Sequence, residues 1–326
     1  MERLIISEKE LNKLKQLSLD KKIFNTEAIL YETKIRQEKY LIKKLFLNDR
    51  ENVANKLYNI SMLNKYKDYI NIKEFVIPEH LVVLNNCISN QLNNVKNDDE
   101  LEKNLQDSNI PIKIKINMLK QVVDNVIGFS IPYIENSINL GLILKDENID
   151  KKEKIKYLKK IGNIVKRIEQ VNKQNISIHI NDLHSFNFLV DNNTKEIKIV
   201  DLDSSTFMED KALSSNYMCI NKNLKFIDKY KFDNGKSYPS TNNDLLCYNM
   251  MILDLISNSN VSKMEINEFY EYIEYLRSIG FGNNLLKSFS LLYTNANNIN
   301  PVDYLDEIPI NLIGKASVEE FKYVKH

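Results

Sequence analysis

Glycine is scarce in this chain. Only 7 of the 326 residues are glycine, and the first of them is Gly128. A G-x-G-x-x-G loop near the start of the chain and a G-x-x-x-x-G-K-[ST] loop at any position are therefore both absent. These loops need glycine because only a residue without a side chain lets the backbone approach phosphate closely. The scarcity of glycine thus excludes the familiar phosphate-binding loops.

Cysteine and long apolar runs are also lacking. Cys87, Cys219 and Cys247 are odd in number and far apart, so neither a disulfide framework nor a C-x-x-C metal knuckle is expected. This cysteine usage fits a reducing compartment, and we predict a cytoplasmic location. No run approaches the roughly 18 apolar residues of a membrane span, and the opening segment MERLIISEKELNKLK soon becomes charged. We therefore expect no membrane association.

Neither sign of charge is in excess. The chain has 45 basic and 44 acidic side chains, which gives a net charge of +1. Domains that bind nucleic acid normally show a basic face and a high pI. Nucleic acid is therefore not expected as a partner.

The residues that are present divide the chain into sections. At roughly 150 residues per domain, the length predicts about two domains or lobes. Residues 22–134 contain short strand-like segments around one helical stretch, which predicts a small antiparallel β lobe with one main helix. Residues 135–326 predict a larger, mainly helical lobe, and residues 1–21 a helical extension. A polar segment at about 89–110 resembles an insertion. The predicted fold class is therefore α+β with two lobes.

Polar side chains concentrate in one segment of the larger lobe. An apolar stripe predicts a long amphipathic helix from Asp150 to about Asn172, and the following segment alternates as a β-hairpin with a turn at 191–193. Asp182 and Asn187 precede the first strand of this hairpin, and Asp201 closes the second. Oxygen ligands from two adjacent loops suit Mg²⁺, which often binds one or two protein groups plus substrate phosphates. A neighbouring carboxylate can orient or deprotonate a hydroxyl group.

This segment resembles the catalytic loop of the protein-kinase-like superfamily, which includes protein kinases and the aminoglycoside- and choline-kinase type phosphotransferases. Its members carry an Asp, an Asn five residues later, two short strands and a metal-binding Asp roughly 13 to 15 residues beyond the Asn. The resemblance implies that Asp182 is the catalytic residue and that Asn187, Asp201 and Asp203 hold Mg²⁺. His184, two residues after Asp182, and the D-x-D pattern are typical of the small-molecule kinases.

Further segments extend the resemblance over residues 22–258. YLIKKLF resembles the third strand of the small lobe, in which Lys43 would contact the nucleotide phosphates and Leu41 would cover the adenine. GFSIPYIENSINL resembles the fifth strand and hinge, so the backbone from Ile131 to Tyr133 would hydrogen-bond the adenine edge. Asp244, at the start of a later helix, would cap the catalytic loop from beneath.

The function that this resemblance implies is an ATP- and Mg²⁺-dependent phosphotransferase. It would transfer the γ-phosphoryl group to a hydroxyl of a small molecule or of a protein Ser or Thr. The expected partners are therefore a nucleotide and an unidentified hydroxyl acceptor.

The chain departs from the family pattern at several positions. The place of the glycine-rich loop holds Asn-Thr-Glu at 25–27, and Glu51 is the only nearby acidic residue that could pair with Lys43. Ile180 and Asn181 replace the His and Arg that usually precede the catalytic Asp, so the loop is expected to lack its usual support. These departures leave a pseudokinase or nucleotide-binding scaffold without transfer activity as an alternative.

A metal-dependent hydrolase is the third interpretation. The same segment supplies side chains that bind metals in hydrolases, namely His179, Asp182, His184, Asp201 and Asp203. It lacks a recognisable H-x-H or H-D pair, and the kinase resemblance explains segments far outside this window.

Overall fold

The chain is an α+β protein that forms two compact units. The computed structural model describes residues 1–17, 28–45, 50–84, 126–174, 178–207, 241–258, 261, 264–290 and 299–325. The first unit comprises Met1–Tyr69 and Val76–Tyr133, and the second comprises Ile70–Phe75 and Ile134–His326. The boundary at Tyr133 lies one residue before the end of the predicted small lobe. The predicted insertion at about 89–110 lies outside the described residues.

A mixed six-stranded sheet dominates the first unit. Its strands are β1 (Glu2–Ile6), β2 (Lys15–Gln16), β3 (Ala28–Ile35), β4 (Glu38–Leu45), β5 (His80–Leu84) and β6 (Val126–Pro132). Their spatial order is β1-β5-β6-β4-β3-β2. Strand β1 runs parallel to β5, and all other neighbours are antiparallel. Strands β3 to β6 coincide with the apolar segments that the sequence predicts as strands.

One long helix links β4 to β5, as the sequence predicts. Helix α2 covers Arg50–Ile70, and it follows the short helix α1 at Glu8–Leu11. The stripe Leu57, Ile60 and Leu63 is buried, which confirms that the three-to-four spacing of these residues marks the packed face.

The prediction of a helical extension over residues 1–21 is wrong for the described part, residues 1–17. Only α1 is helical there; its capping box pairs Ser7 with Glu10, and Leu11 is fully buried in the same core cluster as Ile42. The residues before α1 form β1 because β5 offers an open edge whose backbone groups need partners. Local periodicity cannot reveal this strand pairing, because the partner strand lies about 80 residues away in the sequence.

The second unit is mainly helical. Its α-helices are α3 (Leu140–Lys145), α4 (Lys151–Asn172), α5 (Thr241–Ser257), α6 (Ile266–Ser278), α7 (Asn283–Ser290) and α8 (Val318–Lys325). Its strands are β7 (Ser137–Asn139), β8 (Ile178–His179), β9 (Phe188–Asp191), β10 (Ile197–Ile199) and β11 (Thr206–Phe207). Strands β10, β9 and β7 form one small sheet in that order, and β11 pairs with β8. Among the helices described in the two units, none has both the length and the apolar character needed to cross a membrane.

Local sequence signals set the helix and hairpin that position the polar segment. Asp150 caps α4 by accepting a hydrogen bond from the Lys152 amide at 3.0 Å, so the predicted helix is confirmed at both ends. Asp191 turns the β9–β10 hairpin by accepting hydrogen bonds from the amides of Asn193 and Thr194 at 2.8 and 2.7 Å. The hairpin thus has the turn that the sequence predicts.

Candidate functional site

The polar loop of the second unit lies at one end of the β9–β10 hairpin. Residues 180–184 follow β8, and a 3₁₀ turn at Ser185–Asn187 leads into β9. The antiparallel pairing of Phe188 with Ile199 brings the start of β9 beside the end of β10. The Val200 amide donates to the Asn187 carbonyl oxygen at 2.9 Å. Asp201 therefore lies next to the loop that carries Asp182, although the two residues are 19 positions apart.

Asn187 is buried and fixed by its amide group. Its Nδ2 donates to the backbone carbonyl oxygen of Asp182 at 2.9 Å and to the carboxylate oxygen Oδ2 of Asp182 at 3.3 Å. These two bonds use both N–H donors of the side chain. The carbonyl oxygen Oδ1 of Asn187 is thus the part of the group left to serve as a ligand.

His184 and Asp182 form a half-exposed pair. The distance from His184 Nε2 to Asp182 Oδ1 is 3.6 Å, and the two side chains are 49% and 34% exposed. Burial alone would raise the pKa of the Asp182 carboxyl, but His184 and the Asn187 amide outweigh it, so that the pKa is lowered. Burial would lower the pKa of His184, yet the carboxylates of Asp182 and Asp201 raise it. The pair therefore favours a charged carboxylate at neutral pH.

Two further carboxyl groups follow β10. Asp201 has a φ of 62°, in the left-handed region that side-chain-bearing residues seldom adopt. It is half-buried, whereas Asp203 is only 2% exposed. The charge of Asp203 acts to raise the pKa of Asp182, and the charge of Asp201 acts to raise that of His184. The structure thus gathers the predicted residues Asp182, His184, Asn187, Asp201 and Asp203 in one part of the second unit.

Asp244 braces the backbone of this loop. It lies in the first turn of α5 and is 1% exposed. Its two carboxylate oxygens accept hydrogen bonds from the amides of Ile180 and Asn181 at 2.9 and 2.8 Å. Complete burial raises the pKa of Asp244 to about 7, although the two amide hydrogen bonds act in the opposite direction. The position expected for Asp244, beneath the loop, is the one that it occupies.

Asn181 ties the loop to the segment after Asp203, a role that sequence reasoning missed. Its Nδ2 donates to the carbonyl oxygen of Ser204 and to the hydroxyl of Thr206, both at 3.0 Å. Its φ is 65°, and its side chain is buried. The absence of the usual His and Arg does not leave the loop unsupported, because the Asn181 amide supplies a link. The one sequence signal for this role is the residue type at position 181: Asn tolerates positive φ, and it lies immediately before Asp182.

The nucleotide-contact residues predicted from the resemblance belong to the first unit. Leu41 and Lys43 share one face of β4, opposite the buried Ile42, and Leu41 pairs with Ile131 on β6. The Lys43 ammonium lies 5.7 Å from the centre of the Phe129 ring. The contact of Lys43 with the nucleotide phosphates and that of Leu41 with the adenine stay predictions.

The backbone from Ile131 to Tyr133, predicted to hydrogen-bond the adenine edge, covers the end of β6 and the residue after it, and this role stays a prediction. The Tyr133 amide donates to the Lys39 carbonyl oxygen at 3.0 Å, so this N–H already has an acceptor within the first unit. The side chain of Glu51 and the Asn-Thr-Glu segment at 25–27 lie outside the described residues.

The chemistry of the donor set in the second unit fits Mg²⁺. Asn187 offers an amide oxygen, and Asp201 and Asp203 offer carboxylates, which are the hard ligands that this ion prefers. Within the part of the chain that the structure describes, no group of three or more His, Cys, Asp or Glu side chains is arranged to hold a metal ion. The described residues therefore give the hydrolase interpretation no metal centre. A site of one amide and one or two carboxylates, completed by substrate phosphates, needs no such group.

No protein-family model matches this chain, and a comparison with curated proteins found no match.

Proposed function

We propose that the chain is an ATP- and Mg²⁺-dependent phosphotransferase of protein-kinase-like fold. The observation that carries this proposal is the grouping of Asp182, Asn187 and Asp201 at one end of the β9–β10 hairpin, above the buried brace Asp244. The order of elements in the first unit supports it: a strand with Lys43, a helix and two more strands precede the loop, as the resemblance requires.

Asp182 is the proposed catalytic residue. Its lowered pKa keeps the carboxylate ionised at neutral pH, so it can accept a hydrogen bond from the hydroxyl of the acceptor. As the acceptor oxygen forms a bond to the γ-phosphorus, the bond from that phosphorus to the β,γ-bridging oxygen breaks. Asp182 takes the hydroxyl proton, and ADP leaves. His184 and Asn187 hold the carboxylate in place for this step.

Asn187 and Asp201 are the proposed magnesium ligands, and Asp203 is a further candidate. When bound, Mg²⁺ neutralises the charge of the phosphate oxygens. The two hydrogen bonds of the Asn187 amide to Asp182 hold its Oδ1 in a defined position. Contact of Lys43 with the phosphates and a cytoplasmic location also stay predictions.

A transfer assay with radiolabelled ATP tests the proposal. We expect wild type to move γ-phosphate to water, to itself or to an added acceptor. Asp182→Asn and Asp201→Asn should each lower this rate about 100-fold or more. Asp306→Asn is the matched control, because Asp306 is 81% exposed and pairs only with Lys159 among the described residues. Equal transfer by all variants would overturn the assignment.

Nucleotide binding separates the alternatives. Because a ligand that binds only the folded state raises its stability, ATP with Mg²⁺ should raise the midpoint of thermal unfolding. Stabilisation without any transfer would identify a pseudokinase or nucleotide-binding scaffold. No stabilisation, with or without Mg²⁺, would contradict both kinase interpretations.

A further inference from the structure

An aromatic ring lies beside the loop that carries Asp182. The side chain of Phe186 is half-buried, and its ring centre is 6.5 Å from that of the His184 imidazole. Nε2 of the same imidazole lies 3.6 Å from Asp182 Oδ1. Asn187, the residue after Phe186, donates to the backbone carbonyl and to the carboxylate of Asp182. A molecule bound at the Asp182 carboxylate therefore has Phe186 as a near neighbour.

Helix α3 holds this ring in place. Asn139 caps the helix by accepting a hydrogen bond from the Gly141 amide at 2.9 Å, and its Nδ2 donates to the Phe186 carbonyl oxygen at 2.6 Å. Gly141 lies against the ring, since a Cβ at this position would come within 2.8 Å of the ring atoms Cδ1 and Cε1. The lack of a side chain lets the helix backbone support the ring. Phe186 is therefore positioned before a ligand binds, which lowers the entropic cost of binding.

The same helix adds an apolar and a cationic side chain. Leu142 is 37% exposed. Lys145 is exposed, and its Nζ lies 4.8 Å from the centre of the Phe186 ring. The charge of Lys145 acts on the Asp254 carboxyl, but among the described residues no carboxylate lies within ion-pair distance of this ammonium. A cation–π contact at an exposed site is weak, so the ammonium can turn toward an anion.

We propose that Phe186 and Lys145 select the phosphoryl acceptor, and that this acceptor is an alcohol with a planar unsaturated ring and an anionic group. Its hydroxyl binds at Asp182, its ring packs against Phe186 and Leu142, and its anionic group pairs with Lys145. A cationic acceptor would be repelled by Lys145, and a polyol would leave the apolar side chains without an apolar partner. The inference rests on the phosphotransferase function proposed above, because the role of Asp182 places the hydroxyl.

Two probe alcohols that differ in charge test this selection. The first is para-(hydroxymethyl)benzoate, which has the hydroxyl, the ring and a carboxylate. The second is para-methylbenzyl alcohol, in which a methyl group replaces the carboxylate. With radiolabelled ATP, we expect kcat/KM for the benzoate to be at least tenfold higher, through a lower KM. Equal kcat/KM for the two probes would overturn the proposal.

Transfer of γ-phosphate to water separates failure of this proposal from failure of the proposed function. If wild type transfers phosphate to water, and Asp182→Asn does not, the phosphotransferase function stands. Transfer to water without discrimination between the two probes would then overturn the acceptor proposal alone. Absence of transfer to water and to both probes would overturn both.

Variants at Lys145 test the ion pair without disturbing a buried group. Lys145→Gln should raise KM for para-(hydroxymethyl)benzoate at least tenfold and change kcat less than twofold. The matched control is Lys152→Gln, an exposed lysine at the start of α4, which should leave both constants unchanged. Lys145→Glu should reverse the preference, so that para-(aminomethyl)benzyl alcohol, a cation, becomes the better acceptor. An unchanged KM in Lys145→Gln, or no reversal in Lys145→Glu, would show that Lys145 does not select the acceptor.

Discussion

The carboxyl of Asp244 should make the stability of the protein fall as pH rises. Its pKa is raised from 3.8 to about 7 because the group is buried. The unfolded chain therefore ionises this group before the folded protein does. The stability it contributes is fully present below pH 4 and is lost as pH rises through 7. About three pKa units at ~1.4 kcal/mol each correspond to about 4 kcal/mol.

The substitution Asp244→Asn should remove this contribution to the pH dependence of stability. The amide stays neutral at every pH and keeps one oxygen for one of the two N–H groups, of Ile180 and Asn181, that the carboxylate now binds. Relative to wild type, the variant should therefore gain about 4 kcal/mol in free energy of unfolding between pH 4 and pH 8. This is a large share of the roughly 5 to 15 kcal/mol typical of folded proteins.

Urea unfolding followed by far-UV circular dichroism at five pH values measures this difference. Other ionisable groups contribute equally to both proteins, so they cancel when the two curves are subtracted. Asp306→Asn, which alters an exposed carboxylate, should give a curve parallel to that of wild type. A constant difference between wild type and Asp244→Asn from pH 4 to pH 8 would refute the reasoning.

Two further substitutions test packing, one in each unit. Gly128→Ala would place a methyl group against the carbonyl oxygen of Lys43 on the neighbouring strand, and should lower the free energy of unfolding by about 2 kcal/mol or more; unchanged urea unfolding would mean that the strands are paired differently. Asn181→Ala removes the hydrogen bonds to Ser204 and Thr206, and should cost about 2 kcal/mol in the same assay. A loss of less than 0.5 kcal/mol would contradict the bracing role.

The sequence pattern predicts the elements whose signals all lie within a few neighbouring residues. Helix α4 combines an apolar stripe with a capping Asp150, and both signals act within a few residues. The β9–β10 hairpin is equally local, since Asp191 closes its own turn. Because that hairpin fixes the positions of Asn187 and Asp201, their proximity to Asp182 could be predicted from spacing alone.

Features that depend on a distant partner could not be predicted in this way. Residues 2–6 became a strand only because β5 has an edge to receive them. The Tyr133 amide is engaged because β4 brings Lys39 beside it. Asn181 supports the loop because β11 pairs with β8 and places Thr206 within its reach.

The sequence by itself determined helix α4, the β9–β10 hairpin and the spacing of the polar residues in that hairpin, because these follow from side-chain period and turn chemistry. Only the tertiary structure decided which charged groups are buried and which are paired. It buried Asp244 under the loop, which moves its pKa to about 7. It also set Arg167 against Glu74 although 93 residues separate them in sequence. A pKa and an ion pair both depend on which groups the fold brings together, and the order of residues alone does not specify that.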